Sequence, residues 1–125
     1  MPRRARLPYW REVAVGGAIG TAARIAVDLA IGPVNGGWDP GLAVVNILGA
    51  FALGWLSTRA LSGADPARWR AFAGTGVLGA FTTFSALSLA MVDGTPFGAG
   101  LASLTLSVFG GVAGATLGQR WGAST

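Results

Sequence analysis

Apolar residues fill four long stretches of the chain, which are separated only by short polar or glycine-rich connections. The stretches cover residues 13–31, 41–58, 71–92 and 97–118. At roughly 1.5 Å per residue, each is about long enough to cross a bilayer core of about 30 Å. Because their helical faces carry almost no charge, they do not fit the amphipathic helices of a water-soluble bundle. The pattern predicts an all-α integral membrane protein with one four-helix domain over residues 1–125.

The composition supports this class and excludes several others. Hydrophobic residues make up 52% of the chain and charged residues only 11%, whereas a soluble domain carries about 25% charged residues. Cys, His and Lys are absent, so disulfides, thiolate chemistry, histidine zinc ligands and Schiff bases are excluded. No nucleophile–base pair stands out, so we do not expect an enzyme. A chain this apolar also lacks the polar basic surface that binds nucleic acid.

The arginines indicate the orientation in the membrane. The first and third connections hold no basic residue, only Asp39 and Asp93. A basic tail before an apolar run is also typical of a signal peptide, but this run is long and three more follow, which favours a retained helix. The positive-inside rule places both termini in the cytoplasm of an inner-membrane protein. Eight of the nine arginines lie on that side: Arg3, Arg4, Arg6, Arg11, Arg59, Arg68, Arg70 and Arg120.

Small residues recur at four-residue intervals within the spans. This spacing lets helix backbones approach closely in lipid, so it predicts helix-contact faces and, for the surface left over, an oligomer. The faces are Gly16/Gly20, Ala50/Gly54 and Gly110/Gly114/Gly118.

The third apolar stretch has a poor helix centre. It contains glycines up to Gly79 and the adjacent β-branched residues Thr82 and Thr83, whose hydroxyls can bend a helix. We predict a break around residues 79–83, near the middle of the bilayer. Carbonyl groups freed there must line a cavity, contact another chain or coordinate a cation. The alternative is an unbroken glycine-rich packing face.

Several polar or aromatic side chains lie inside the predicted spans, where each needs a partner. Arg24 lies one helical turn before Asp28 and either pairs with it, extends its charged end to the outer surface, or supplies a positive potential that attracts an anion. Asn46 either bonds a neighbouring helix or lines a water-filled vestibule. Phe84 contacts lipid or core, or turns its electropositive ring edge into a narrow pore. Ser107 shares a face with Ser103 and either bonds its own helix or replaces an anion's hydration shell.

These residues form four ordered motifs. They are Gly16-Gly17-x-x-Gly20-x-x-x-Arg24, Val45-Asn46-x-x-Gly49-x-Phe51-x-x-Gly54, Gly76-x-x-Gly79-x-x-Thr82-Thr83-Phe84-Ser85, and Ser107-x-x-x-Gly111 followed by Gly118. In this order, the chain resembles the Fluc/CrcB fluoride channels over nearly its whole length.

The resemblance implies a fluoride-selective channel for passive efflux, which lowers the toxicity of fluoride in the cytoplasm. It implies an antiparallel dual-topology dimer with two pores and a structural Na⁺ held by backbone oxygens of Gly79 and Thr82. The anion path that it implies comprises Asn46, Phe84, Ser107, Thr83, Ser85 and Arg24.

Two features depart from the family pattern. Leu87 stands where a second pore phenylalanine is usual, and Leu42 stands where a threonine is common. The one-sided arginine distribution also disfavours insertion in both orientations. These features suggest a heterodimer with an oppositely oriented paralogue as the alternative to a homodimer. A proton-coupled multidrug-type exporter and a non-conducting accessory subunit are the alternative functions.

Overall fold

All regular elements in the described part of the chain are helices. The computed structural model describes residues 8–32, 38–59, 65–92, 94 and 96–124. The helices are α1 (Trp10–Ile31), α2 (Pro40–Thr58), α3 (Pro66–Trp69), a π-helix (Arg70–Leu78), α4 (Gly79–Phe81), α5 (Ser85–Ala90) and α6 (Phe97–Ser124).

Four spans are long and apolar enough to cross a membrane. They are α1, α2, the segment Pro66–Ala90, called the third span from here on, and α6. The predicted all-α membrane fold with four spanning helices is therefore confirmed, and the chain is a multi-pass membrane protein. The predicted tail residues Arg3, Arg4 and Arg6 and the connection residue Asp93 lie outside the described residues.

Three spans extend by several residues beyond the apolar stretches that predict them. Helix α1 already begins at Trp10, the third span begins at Pro66, and α6 continues to Ser124. The extension of α6 has a packing reason, since a Cβ atom on Gly122 would lie only 2.8 Å from the carbonyl oxygen of Trp55. Hydropathy misses these turns because a helix continues for as long as its backbone is bonded, whatever the polarity of its side chains.

The predicted break in the third span is confirmed, slightly later than expected. The last bond of the first half runs from Thr82 N to Leu78 O, at 3.1 Å. Thr82 then adopts an extended backbone, with φ −78° and ψ 152°, and helical structure resumes at Ser85. Gly79 is still helical, with φ −64° and ψ −34°. Glycine flexibility is thus not what breaks the helix; the extended Thr82 does.

Helix α1 packs on the first half of the third span through glycines. A Cβ atom on Gly16 would lie 3.0 Å from Val77 N and 3.1 Å from the Cα of Gly76. A Cβ on Gly20 would collide with the carbonyl oxygen of Val77. Missing side chains therefore bring the two backbones together, as the small-residue spacing predicts.

Helices α2 and α6 form the second closely packed pair. A Cβ on Gly54 would collide with the carbonyl oxygen of Ala115, and a Cβ on Gly118 with that of Phe51. A Cβ on Gly114 would lie 2.9 Å from Ile47 O. The third span, which contains the break, packs on α1, and its break faces the pair of α2 and α6.

Polar contacts tie the start of α1 to the start of the third span. The hydroxyl of Tyr9 donates to Asp65 Oδ1 at 3.2 Å, and Arg68 Nε donates to Glu12 Oε1 at 2.7 Å. Asp65 also accepts from Arg68 N and so caps the third span. The N-terminal end of α1 and the second connection therefore lie at the same end of the bundle, which is the end where the arginines cluster.

Candidate functional site

The break opens onto a cavity of about 210 Å³ between α2, the third span and α6. The cavity contains five of the eight site residues that the sequence predicts. Its lining is formed by Asn46, Thr82, Thr83, Phe84, Leu87, Ser107 and Val108. None of these lining side chains carries a charge, so the cavity presents an amide, hydroxyl groups, an aromatic ring and aliphatic walls.

Asn46 bonds the broken backbone on both sides of one residue. Its Nδ2 donates to the carbonyl oxygen of Thr83 at 3.0 Å, and its Oδ1 accepts from Thr83 N at 2.8 Å. Thr83 is itself buried, with 9% of its surface exposed. The interpretation of Asn46 as a bond to a neighbouring span is therefore confirmed. The side chain also lines the cavity, and its role in a water-filled vestibule stays a prediction.

This pairing changes the hydrogen bonding of the preceding turn. In a continuous helix Thr83 N would donate to the carbonyl oxygen of Gly79, but here it donates to Asn46. The carbonyl of Gly79 therefore loses its regular helical donor. Gly79 is exposed on the surface of the chain, so its backbone is accessible from outside the subunit.

Thr82 is anchored by its side chain. Its Oγ1 donates to Leu78 O at 3.1 Å, in the helix-bending geometry that the sequence suggests. Its methyl group presses against Gly49 of α2, where a Cβ atom would collide with Thr82 Cγ2. The proton of this hydroxyl is therefore used inside the chain.

Phe84 lies directly after the break and faces outward. Its side chain is 71% exposed, and its carbonyl accepts from Ser88 N at 2.9 Å, which starts α5. The turn is closed by Thr83, whose Oγ1 accepts from Ala86 N at 3.2 Å and lies 3.2 Å from Ser85 Oγ. Ser85 thus supports the break from outside the cavity lining.

Ser107 supplies an unused polar group. Its Oγ is buried, and no described residue forms a hydrogen bond with it. Ser103, one turn earlier, is also buried, so the two serines share the inner face of α6 as their spacing suggests. Thr105, in contrast, bonds its own helix at Leu101 O, at 2.8 Å. The hydroxyl of Thr105 therefore bonds its own helix, whereas that of Ser107 does not.

Arg24 lies outside the cavity. Its Nε and the Oδ1 of Asp28 are both buried without a hydrogen-bond partner among the described residues. The local Arg24–Asp28 pair, which was one of the three sequence-based interpretations, is therefore wrong for the described structure, although the spacing along the helix is correct for a pair.

Two cavity residues have no signal in the sequence that marks them as functional. Val108 is an ordinary apolar residue, and Leu87 is notable only because the resemblance leads us to expect a phenylalanine there. Leu87 is 3% exposed, so it closes the inner wall of the cavity. A second cavity, of about 420 Å³, lies between α2 and the π-helix and includes Arg70 and Thr75 in its lining.

Comparison with known proteins identifies relatives along most of the chain. Residues 12–119 match the family model described as CrcB-like protein, Camphor Resistance (CrcB). A protein of Leifsonia xyli subsp. xyli named fluoride-specific ion channel FluC 2 is 41% identical, with 90% of this chain and 87% of that protein aligned. A protein of Deinococcus radiodurans named fluoride-specific ion channel FluC is 38% identical, over 93% of this chain and 96% of that protein.

A third relative, from Methylobacterium nodulans, is also named fluoride-specific ion channel FluC. It is 39% identical, over 82% of this chain and 86% of its own length. The match of the family model and these full-length similarities agree with the ordered motifs of the four spans. The chain belongs to the CrcB-like protein family.

Proposed function

We propose that this chain forms a fluoride-selective channel through which fluoride leaves the cytoplasm passively, which lowers its toxicity. One observation carries the proposal: the cavity at the break holds Phe84 and the unpartnered hydroxyl of Ser107 within a membrane-spanning bundle. The relatives named fluoride-specific ion channels support the choice of ion. Conduction requires no catalytic group, and an enzymatic function is not assigned.

The chemistry of the lining suits a small anion. The buried hydroxyl of Ser107 has a proton to donate, and the edge of the Phe84 ring is electropositive. Neither group carries a full charge, so neither would hold the ion too tightly for it to leave. No acidic side chain lines this cavity, so nothing in the lining repels an anion.

The site is completed by a second subunit in this proposal. Phe84 is 71% exposed and Gly79 is also exposed, so the break in the third span is accessible to a neighbouring subunit. An antiparallel, dual-topology dimer would bring two such breaks together and form two anion paths. Because Leu87 forms the inner wall, Phe84 is the one aromatic residue that each copy contributes to the cavity lining. For this reason we consider an oppositely oriented paralogue as the partner, as well as a second copy.

A structural Na⁺ at the centre of the dimer fits the residues present. Carbonyl oxygens are the ligands that hard cations prefer, and the carbonyl of Gly79 has lost its helical donor to Asn46. The carbonyl of Thr82 would be the second ligand, because the extended backbone of Thr82 interrupts the helix there. When bound, the ion would neutralise these carbonyl dipoles and stabilise the contact between subunits.

The proposed location is the inner membrane, with both termini in the cytoplasm. Tyr9 and Asp65 join the start of α1 to the start of the third span, which places Arg11, Arg59 and Arg68 at one end of the bundle. By the positive-inside rule this end faces the cytoplasm. A reporter at the C-terminus tests the orientation: a cytoplasmic signal alone supports one-way insertion and a paralogous partner, whereas equal signals from both sides support a homodimer.

Fluoride efflux from liposomes tests the function. The purified chain is reconstituted alone and with an oppositely oriented paralogue, and a fluoride electrode records release after a potassium ionophore relieves the membrane potential. We expect fluoride release that needs no proton gradient, with chloride retained. Release that requires a proton gradient would favour an exporter, and the absence of release in both preparations would favour an accessory subunit.

A further inference from the structure

Asn46 satisfies both backbone groups of Thr83, a residue in the break. We infer that Asn46 acts as a positioning residue: it holds Thr83 in its non-helical conformation and thereby fixes the orientation of Phe84. This inference rests on the proposed function, because it assigns a role within the same site. It is separate from a role as an ion ligand: the amide oxygen and one amide N–H bond the protein, and only the second N–H is left to face the cavity.

The geometry specifies the pairing in one direction only. The amide oxygen of Asn46 lies 2.8 Å from Thr83 N, and the amide nitrogen lies 3.0 Å from Thr83 O. If the amide were flipped, a donor would face the N–H and an acceptor would face the carbonyl, and both bonds would be lost. The side chain thus bonds the N–H and the C=O of one residue, with one acceptor and one donor, as a residue of a neighbouring strand does.

The break needs such a partner because of its surroundings. The extended conformation of Thr82 removes the helical partners that Thr83 would otherwise have, and Thr83 is only 9% exposed. Unsatisfied backbone groups inside a bilayer are costly. A side chain with only a donor or only an acceptor would satisfy one of the two groups, whereas an asparagine at this distance satisfies both.

The consequence for Phe84 is direct. Phe84 follows Thr83 in the chain, so the direction of its Cα–Cβ bond depends on the peptide unit between them, whose carbonyl oxygen accepts from Asn46. The other bonds at the turn come from within the third span: Thr83 Oγ1 accepts from Ala86 N at 3.2 Å, and Phe84 O accepts from Ser88 Oγ at 3.1 Å. Among the described residues of α1, α2 and α6, only Asn46 forms a side-chain hydrogen bond with the backbone of residues 82–84, so its release would loosen the turn that carries the ring.

The test compares two residues that line the same cavity. Asn46→Leu keeps the approximate shape of the side chain and removes both hydrogen bonds, while Asn46→Ser keeps a hydroxyl that is too short to bridge both groups. Ser107→Ala is the matched control, because Ser107 has no hydrogen bond to lose. All variants are studied as the full chain in detergent and without fluoride, so that the result does not depend on conduction.

Two measurements report on the break. Hydrogen exchange at the Thr83 amide should be about ten- to hundredfold faster in both Asn46 variants than in the wild type, as expected for the loss of buried hydrogen bonds, and unchanged in Ser107→Ala. With 4-fluorophenylalanine at position 84, the ¹⁹F resonance should broaden or split in the Asn46 variants and stay single in Ser107→Ala. The second signal reports ring orientation, which a general loss of stability would not alter selectively.

Several results would overturn the inference. They are wild-type exchange at Thr83 in Asn46→Ser or Asn46→Leu, an unchanged Phe84 resonance in both, or equal effects in Ser107→Ala. If Asn46→Leu does not fold, Asn46→Ser decides alone. If the exchange and resonance results are as expected but the wild-type chain releases no fluoride from liposomes, the positioning role stands and the proposed function fails.

Discussion

Gly20→Ala tests the packing that holds the first half of the third span. A Cβ atom at this position would collide with Val77 O and lie 2.9 Å from Val77 C and 3.0 Å from Val77 Cα. These are backbone atoms, so a whole helix must shift to make room. Overpacking of this kind typically costs about 1–3 kcal/mol, which corresponds to a roughly five- to 150-fold change in the folding equilibrium.

Gly17→Ala is the matched control on the same helix. A Cβ atom there would have no neighbour within 4 Å, and any change in helix propensity is shared by the two variants. Unfolding of both in detergent micelles can be titrated with dodecyl sulfate and followed by tryptophan fluorescence. We expect Gly20→Ala to unfold at a lower dodecyl sulfate fraction than Gly17→Ala. Equal midpoints would refute the close contact between α1 and the third span.

Two further predictions concern single polar groups. Ser107→Ala should lower fluoride efflux. It should leave the free energy of unfolding unchanged or raise it by about 1 kcal/mol, because an unpartnered buried hydroxyl is removed. A clear loss of stability with normal efflux would contradict this prediction. The hydrogen bond from Tyr9 to Asp65, and the negative charge of that carboxylate, raise the pKa of Tyr9 above its ordinary value of 10.0. The folded state therefore favours the neutral phenol, and its stabilising effect is complete below pH 10 and is lost as the pH rises through the raised pKa. Thermal melting in detergent should show Tyr9→Phe less stable than the wild type at pH 8, with the difference shrinking above pH 10; a difference that does not change with pH would contradict the role of this bond.

The spans and the break could be predicted from the sequence because the bilayer restricts the choices. A membrane segment must bond its backbone internally, so a long apolar stretch can only be a helix here. For the same reason, Thr82 and Thr83 after Gly79 in one apolar stretch indicate an interruption. The shift of the break to Thr82–Phe84 was not predictable, because it depends on where Asn46 of another helix takes over the hydrogen bonds.

The partners of the polar residues could not be predicted from local spacing. Asn46 bonds Thr83, which is 37 positions away in the chain, and only the tertiary packing of α2 against the third span brings them together. Arg24 and Asp28 have ideal spacing for a pair on one helix, yet they do not pair. The π-helix Arg70–Leu78 likewise has no clear sequence signal. It lies where α1 approaches the third span closely, and this approach is a feature of the tertiary packing.

The most direct test of the account is fluoride efflux through Phe84→Ile. This change keeps an apolar side chain of moderate size and removes the polarised ring edge. Phe109→Ile is the matched control, because Phe109 is 72% exposed on α6, nearly the same as the 71% of Phe84, and does not line the cavity. The account predicts that Phe84→Ile assembles normally and loses fluoride efflux from liposomes while Phe109→Ile conducts. Wild-type efflux through Phe84→Ile would contradict the claim that the broken third span sets the ion path.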